Sequence, residues 1–200
     1  TICMSEKSAA LHAKYHRKTR YKICISGAAE TGHCSMDTLQ KAEEMGREIA
    51  KANMVLLTGA TTGTPYWAAK GAKSAGGLVI GFSPASSELA HVKTYRLPID
   101  YHDDIVFTGF EYSGRNWILT RAADAVITIC GRIGTLNEFT AAFEDGKPSG
   151  ILEGTGGTAD YIRDILDKSH RGYGKTVFSS DPKELLKLVM KKIEEYEKSF

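Results

Sequence analysis

The stretch that decides the fold runs Asp124-Ala125-Val126-Ile127-Thr128-Ile129-Cys130, then Gly131-Arg132-Ile133-Gly134-Thr135-Leu136-Asn137-Glu138, then Phe139-Thr140-Ala141-Ala142-Phe143. After Asp124 the first run is mostly apolar and rich in β-branched residues, the pattern of a buried strand. The last run reads as a helix. A glycine-containing turn between strand and helix leaves free backbone N–H groups at the helix start, where an anion is stabilised. Glu138 lies one turn into that helix, and its side chain can lean back over the turn. The stretch therefore reads as a site for a phosphorylated small molecule with a carboxylate beside it.

Outward from this unit the chain keeps alternating strand and helix from Tyr21 onward. Lys22–Ser26, Met54–Thr58, Leu78–Phe82, Ile105–Thr108, Ser149–Leu152 and Thr176–Phe178 read as strands. Asp37–Lys51, Thr64–Ala75, Ser113–Ala123, Ala159–Lys168 and Asp181–Tyr196 read as helices. Leu39, Ala42, Gly46 and Ile49 share one face of the first helix, and Asp37 with Gln40 has capping-box spacing. Pro65 suits the first turn of the second. Residues 85–103 are polar and irregular, with a short strand conceivable near Thr94–Leu97. The alternation implies an α/β domain: a doubly wound, mainly parallel sheet covered by helices on both faces, Rossmann-like, over residues 21–200. Residues 1–20 read as a flexible basic tail carrying His12, Lys14, His16, Arg17, Lys18 and Arg20, with a phosphate or RNA contact as the alternative.

Composition narrows the function. Two hundred residues suffice for one domain with a full core. A net charge of +2 with 42% hydrophobic residues speaks against a nucleic-acid or membrane surface. No apolar run approaches the roughly 20 residues that span a bilayer, and none has the form of a secretory signal. The four cysteines, Cys3, Cys24, Cys34 and Cys130, form no C-x-x-C pair, so reduced thiols in a cytoplasmic protein are expected. Zinc held by His33 and Cys34 is disfavoured, because adjacent ligands without a second pair make a poor tetrahedral site.

Three glycine-marked turns follow strands and so fall on one edge of the sheet. They are Ser26-Gly27-Ala28-Ala29, Thr58-Gly59-Ala60-Thr61-Thr62-Gly63-Thr64, and Gly131 to Thr135. Glycine after a strand is commonly turn chemistry alone, but three such turns on one edge point to a binding crevice. Gly27, Ala28, Gly59, Thr62, Gly63, Gly131, Arg132, Ile133, Gly134 and Thr135 are thus candidate phosphate or nucleotide contacts. The dinucleotide, P-loop and nucleophile-elbow fingerprints are absent. Arg115, early in its helix, can reach the same edge with a forked donor set. Arg121, near that helix's end, suits a structural ion pair.

These residues resemble the LOG ("Lonely Guy") family and its SLOG relatives, whose signature is P-G-G-x-G-T-x-x-E with an arginine in the preceding helix. Cys130 to Glu138 reads C-G-R-I-G-T-L-N-E, matching at Gly131, Gly134, Thr135 and Glu138, and the arginine falls on Arg115 within Gly114-Arg115-Asn116. Thr58-Gly59 through Gly76-Gly77 is similar to a second glycine-rich stretch of the family. The resemblance implies hydrolysis of a nucleoside 5′-monophosphate, such as AMP, to free base and ribose 5-phosphate. Gly131–Thr135 would hold the phosphate, Glu138 the ribose hydroxyls and water, and Arg115 the transition state, with no metal and no cofactor. It also implies dimers or larger homo-oligomers, for which the helix bearing Trp117 is a candidate interface.

Three positions depart from the pattern. Arg132 replaces the second glycine, and would be strained if that position needs positive φ. Cys130 replaces proline, and Ala60 replaces a glycine of the second turn. These departures resemble the divergent branch of Rossmann-like nucleotide-binding proteins and molybdenum-cofactor carriers, which implies the alternative: a protein that binds a nucleotide or a pterin phosphate without turnover. A single-strand DNA role on a related fold is disfavoured by the near-neutral charge.

Overall fold

The computed structural model describes residues 19–198. Seven strands form one sheet: β1 (Lys22–Gly27), β2 (Val55–Thr58), β3 (Leu78–Ser83), β4 (Asp104–Phe107), β5 (Ala125–Ile129), β6 (Ser149–Leu152) and β7 (Thr176–Ser179). They lie in the order β4-β3-β2-β1-β5-β6-β7, and every pairing is parallel. Seven α-helices cross over between strands or follow the last one: α1 (Thr38–Lys51), α2 (Thr64–Ser74), α3 (Glu88–Lys93), α4 (Glu111–Ala122), α5 (Ile133–Glu144), α6 (Ile162–Lys168) and α7 (Pro182–Glu197). This is the doubly wound α/β architecture expected from the alternation.

Strand pleating sorts the core. Ile23 and Ile25 point to the layer built from α1, α2 and α7, where Met45, Ile49, Leu185, Val189 and Ile193 are buried. Cys24 points to the opposite layer with Leu57, Val126, Leu119 of α4 and Ala142 of α5. All five residues of β5 are buried, as its mostly apolar run requires. In α1 and α2 the backbones approach closely at two glycines. A Cβ on Gly46 would meet the Ala68 carbonyl and the Ala72 amide, and one on Gly71 would meet the Glu43 backbone.

The departures are local and have identifiable causes. α3 occupies Glu88–Lys93, where the sequence suggested only irregular chain; Ser87 starts it by accepting the Ala90 N–H at 3.2 Å. Thr94–Leu97 is not a strand. Asp37 precedes α1 but does not cap it; its backbone is at φ −90°, ψ 0°, and its carboxylate pairs with Lys41 at 3.0 Å. The helix expected over Ala159–Lys168 divides into a tight 3-10 turn, Gly157–Tyr161, and α6. Asp160 accepts the N–H groups of Gly154 and Gly156 at 2.8 and 2.9 Å and draws that turn in. Arg121 forms the anticipated ion pair, with Asp145 at 3.1 Å.

The cysteines also correct the sequence reading. Cys34 and Cys130 form a disulfide across 96 residues, and Cys24 is a buried free thiol. No spacing encodes that pair, because it arises where the β1–α1 loop folds over the β5–α5 turn. Cys3 and most of the basic segment 1–20 lie outside the described residues. Among those described, no helix is long and apolar enough to cross a membrane.

Candidate functional site

The strand order reverses direction between β1 and β5, and in such sheets the loops leaving the two central strands diverge to opposite faces and open a crevice. A cavity of about 430 Å³ lies in that crevice. Such a volume suits a small-molecule ligand, for which pockets typically measure roughly 300–1,000 Å³. Gly27, Ala28, Thr62, Arg115, Arg132, Gly134, Thr135 and Glu138 all line it. Four further sequence candidates are not part of the lining. Gly59 gives room to the Arg115 guanidinium, and Gly63 packs on the backbone of Ala28 and Ala29. Gly131, at φ +102°, packs on Thr135, and Ile133 points to solvent, 77% exposed.

The turn expected from the sequence to hold a phosphate leads into the start of α5. Its first intrahelical bond is Leu136 N–H to the Arg132 carbonyl at 3.0 Å, and no side chain caps it. The N–H groups of Ile133, Gly134 and Thr135 therefore have no acceptor within the helix. Arg132 adopts extended backbone, φ −130° and ψ −156°, so the missing second glycine brings no strain. Its guanidinium pairs with Glu30 at 3.0 Å on the cavity rim. Left-handed backbone falls instead on Cys130 (φ 55°) and Ala60 (φ 50°). At Ala60, a glycine position in the resembled pattern, the Cβ costs roughly 1–2 kcal/mol.

Glu138 and Arg115 form a buried pair, Arg115 Nη1 donating to Oε1 at 3.3 Å. Ser26, at the end of β1, is hydrogen-bonded to Glu138 Oε2. The Asn116 amide lies against the same carboxylate. The orientation that satisfies its neighbours has its nitrogen donating to Glu138 Oε1 and to the Tyr112 carbonyl, both at 2.9 Å. Burial pushes the Glu138 carboxyl above the ordinary range, while Arg115 and the Ser26 hydrogen bond pull it back. Arg115 Nε is buried without a hydrogen-bond partner among the described residues.

Sequence reasoning did not assign Ser26 or Asn116, although both flank residues it did. It also missed Tyr95, Arg96, Leu97 and Tyr112, which line the cavity as well. Ser87, a capping residue type immediately before α3, is the local signal that could have revealed the ordered segment. Two histidines anchor the wall. His91 Nε2 meets the Pro98 carbonyl at 3.0 Å, and Ser83 Oγ meets His91 Nδ1 at 2.8 Å. His102 Nδ1 meets the Asp100 carbonyl at 2.8 Å, and Thr58 Oγ1 meets Nε2 at 2.8 Å. A carbonyl can only accept, so His102 carries its proton on Nδ1 and takes the Thr58 hydroxyl proton on Nε2. Burial lowers its pKa. The unfolded chain thus binds a proton on His102 more readily than the folded chain does. Stability from this group is present above about pH 6.5 and is lost as pH falls below it. Urea midpoints of the wild type are expected to fall between pH 7.5 and pH 5.5 more steeply than those of His102→Gln. Parallel slopes would refute the assignment.

The helix carrying Arg115 also presents Trp117, 44% exposed, on its outer side, so this residue is not core. Trp67 packs against the α1–α2 core with Lys70 4.2 Å over its ring.

Known proteins share both the fold and its extent. An uncharacterised protein of Archaeoglobus fulgidus is 32% identical over 139 residues, 66% of this chain and 86% of its own. The structure of the molybdenum cofactor binding protein from Rippkaea orientalis is 27% identical, with a TM-score of 0.72 over 88% of this chain and 98% of its own. The molybdenum cofactor carrier protein from Chlamydomonas reinhardtii is 26% identical, with a TM-score of 0.70 over 88% of this chain and 99% of its own. The SLOG cluster4 model matches residues 20–186, a span that includes every element building the crevice, and the chain belongs to the SLOG cluster4 family.

Proposed function

We infer that the crevice binds a phosphorylated heterocyclic small molecule and holds it without turnover, in the manner of a pterin-phosphate or molybdenum-cofactor carrier. The phosphate sits on the open N-terminus of α5 beside Thr135, where backbone donors and the helix dipole favour a dianion. Arg96, Arg115 and Arg132 on the cavity wall outnumber Glu30 and Glu138. The observation that carries the choice of binding over hydrolysis is the state of Glu138. Both of its oxygens already accept hydrogen bonds, from Ser26, Arg115 and Asn116, so the carboxylate bordering the cavity is held in place by the protein. A residue that stabilises an oxocarbenium ion or activates water has to offer a free oxygen to the ligand. The similarity to two molybdenum-cofactor proteins across nearly their whole length supports the same reading.

The second reading is the nucleoside 5′-monophosphate phosphoribohydrolase, with Arg115 and Glu138 as catalytic residues. It is favoured by one observation: both residues line the cavity, and the Glu138 carboxyl is held above its ordinary range. Calorimetric titration with a phosphorylated pterin, its dephosphorylated form and AMP separates the readings. The phosphorylated pterin is expected to bind at least about tenfold more tightly than the dephosphorylated form, since one charge-assisted hydrogen bond contributes roughly 1.5–3 kcal/mol. AMP is expected to be recovered intact after long incubation. Equal affinity for the two pterins would remove the phosphate from α5. Release of adenine that disappears in Glu138→Ala would establish the hydrolase instead.

A further inference from the structure

Against the outer wall of the phosphate loop lies a cluster that ligand binding does not use. The side chains of His33, Cys34 and Cys130 place one ligand atom each within 4.8 Å of one another. His33 Nε2 is 3.6 Å from Cys130 Sγ and 3.2 Å from the Gly131 carbonyl. In a tetrahedral zinc site with Zn–S near 2.3 Å and Zn–N near 2.0–2.1 Å, a sulfur and a nitrogen ligand stand about 3.6 Å apart. The histidine and Cys130 are thus already at the spacing of two ligands on one ion.

The backbones hold the cysteines together without help from their sulfurs. Thr155 Oγ1 accepts the Cys130 N–H at 2.8 Å, while the Thr155 carbonyl accepts the Ser35 N–H at 3.1 Å and the Thr38 hydroxyl at 2.9 Å. Cys34 pairs with Gly156 in an isolated bridge, and the Ala159 N–H donates to the Cys130 carbonyl at 2.9 Å. The loop 155–159 therefore clamps both cysteine backbones, so reducing the disulfide leaves the two thiols facing each other. The glycine at 157 adds room: a Cβ there would stand 2.9 Å from Cys130 Sγ. His33 is exposed and Cys34 half-buried, which gives an ion access from solvent.

We propose that, once the Cys34–Cys130 disulfide is reduced, the two thiolates and His33 Nε2 form a three-ligand zinc site on the wall of the phosphate loop. A dithiol reductant supplies two electrons and two protons and leaves as its own disulfide, giving two cysteine thiols. Zn2+ then displaces one proton from each thiol and binds the neutral imidazole through Nε2, after the Nε2 proton that faced the Gly131 carbonyl has passed through solvent to Nδ1. The products are the zinc complex and two released protons. Two thiolates neutralise the ion, and the set of two sulfurs and one imidazole suits a borderline-soft cation. The fourth position is left to water. His33 gives up its contact with the Gly131 carbonyl when it ligates, so occupancy reaches the turn that opens α5. The site and the disulfide are mutually exclusive states of the same two sulfurs.

The full chain, reduced with a dithiol and freed of it, is titrated with Zn2+ against a chromophoric chelator. One equivalent is expected to bind, with about two protons released per ion at a pH where the thiols are protonated. The oxidised protein is expected to take up none at that site. Co2+ in place of zinc should give thiolate-to-metal charge-transfer absorption. Cys34→Ser and His33→Ala should each weaken binding by more than about 100-fold, beyond the 10–100-fold typical of losing an outer-shell partner. Both substitutions fall on accessible loop positions, and circular dichroism checks that they fold. Cys24→Ser and Cys3→Ser should bind as the wild type does. Failure of the reduced wild type to take up one equivalent would overturn the proposal, leaving a disulfide alone. Uptake that survives in both Cys34→Ser and His33→Ala would overturn it equally.

Discussion

Glu138→Ala is expected to destabilise the domain by about 3–5 kcal/mol, the range for breaking a buried ion pair by removing one partner. The substitution leaves the Arg115 guanidinium buried without its counter-charge, and it deprives Ser26 and Asn116 of the acceptor they share. Arg115→Ala should cost a similar amount for the reciprocal reason. The double variant Arg115→Met/Glu138→Leu removes both charges and fills the space with apolar groups, so it should recover most of the loss. All of them should lose affinity for the phosphorylated ligand, which separates binding from stability. Urea denaturation at pH 7.5 reads the effect, and a cost below about 1 kcal/mol for both single variants would mean that the pair behaves like an exposed one. The sign of the pH dependence offers a further check. Burial raises the Glu138 carboxyl, so the folded state takes up its proton more readily than the unfolded chain. Its contribution to stability is greatest at acid pH and diminishes as pH rises through the folded value, opposite in direction to that of His102.

Gly46→Leu is expected to cost about 3 kcal/mol, the upper part of the range for overpacking a close-packed interior. The atoms that a Cβ at position 46 would meet are the carbonyl of Ala68 and the amide of Ala72, both backbone, so no side-chain rotation makes room. The sign for Gly46→Ala is the sharper test. In an exposed helix interior that change stabilises by about 1 kcal/mol. Here it should destabilise, because α1 and α2 must move apart and the cluster of Met45, Ala68, Ala69 and Ala72 beneath them loosens. Gly71→Ala, against the Glu43 backbone, should behave alike. Thermal unfolding reads both, with about 2–4 °C per kcal/mol for a domain of this size. A rise in melting temperature on Gly46→Ala would show that the helices are farther apart than the structure has them.

The two interactions were legible in the sequence to different degrees. The spacing of Arg115 and Glu138 around a strand-to-helix turn placed both at the carboxyl edge of the sheet. That Ser26 and Asn116 would close on Glu138 was not legible, because they come from different elements and meet only when β1, α4 and α5 pack. Gly46 was read only as sharing one face of its helix with Leu39, Ala42 and Ile49. Its steric role needs the partner helix, whose crossing point depends on side chains along both surfaces.

Arg132 shows the same limit from the other side. Its replacement of a glycine suggested strain, yet extended backbone accommodates it, and of the three departures it is Cys130 and Ala60 that are left-handed. Backbone conformation in a turn is set by what anchors each end, and here Thr155 and loop 155–159 do that from a distant part of the chain. The cavity wall at Tyr95–Leu97 depends on His91 and His102 in the same way, through contacts invisible to local pattern.

What the amino-acid sequence by itself determined was the parallel α/β sheet, the position of the strand-to-helix turns on one edge, and the glycine-marked start of α5. These follow from apolar periodicity and glycine placement, which act over a few neighbouring residues. Tertiary structure alone decided the engagement of Glu138, the disulfide between Cys34 and Cys130, and the cavity wall at Tyr95–Leu97. Each of these joins residues far apart in the chain, and their partners are chosen by how the packed layers bring loops together.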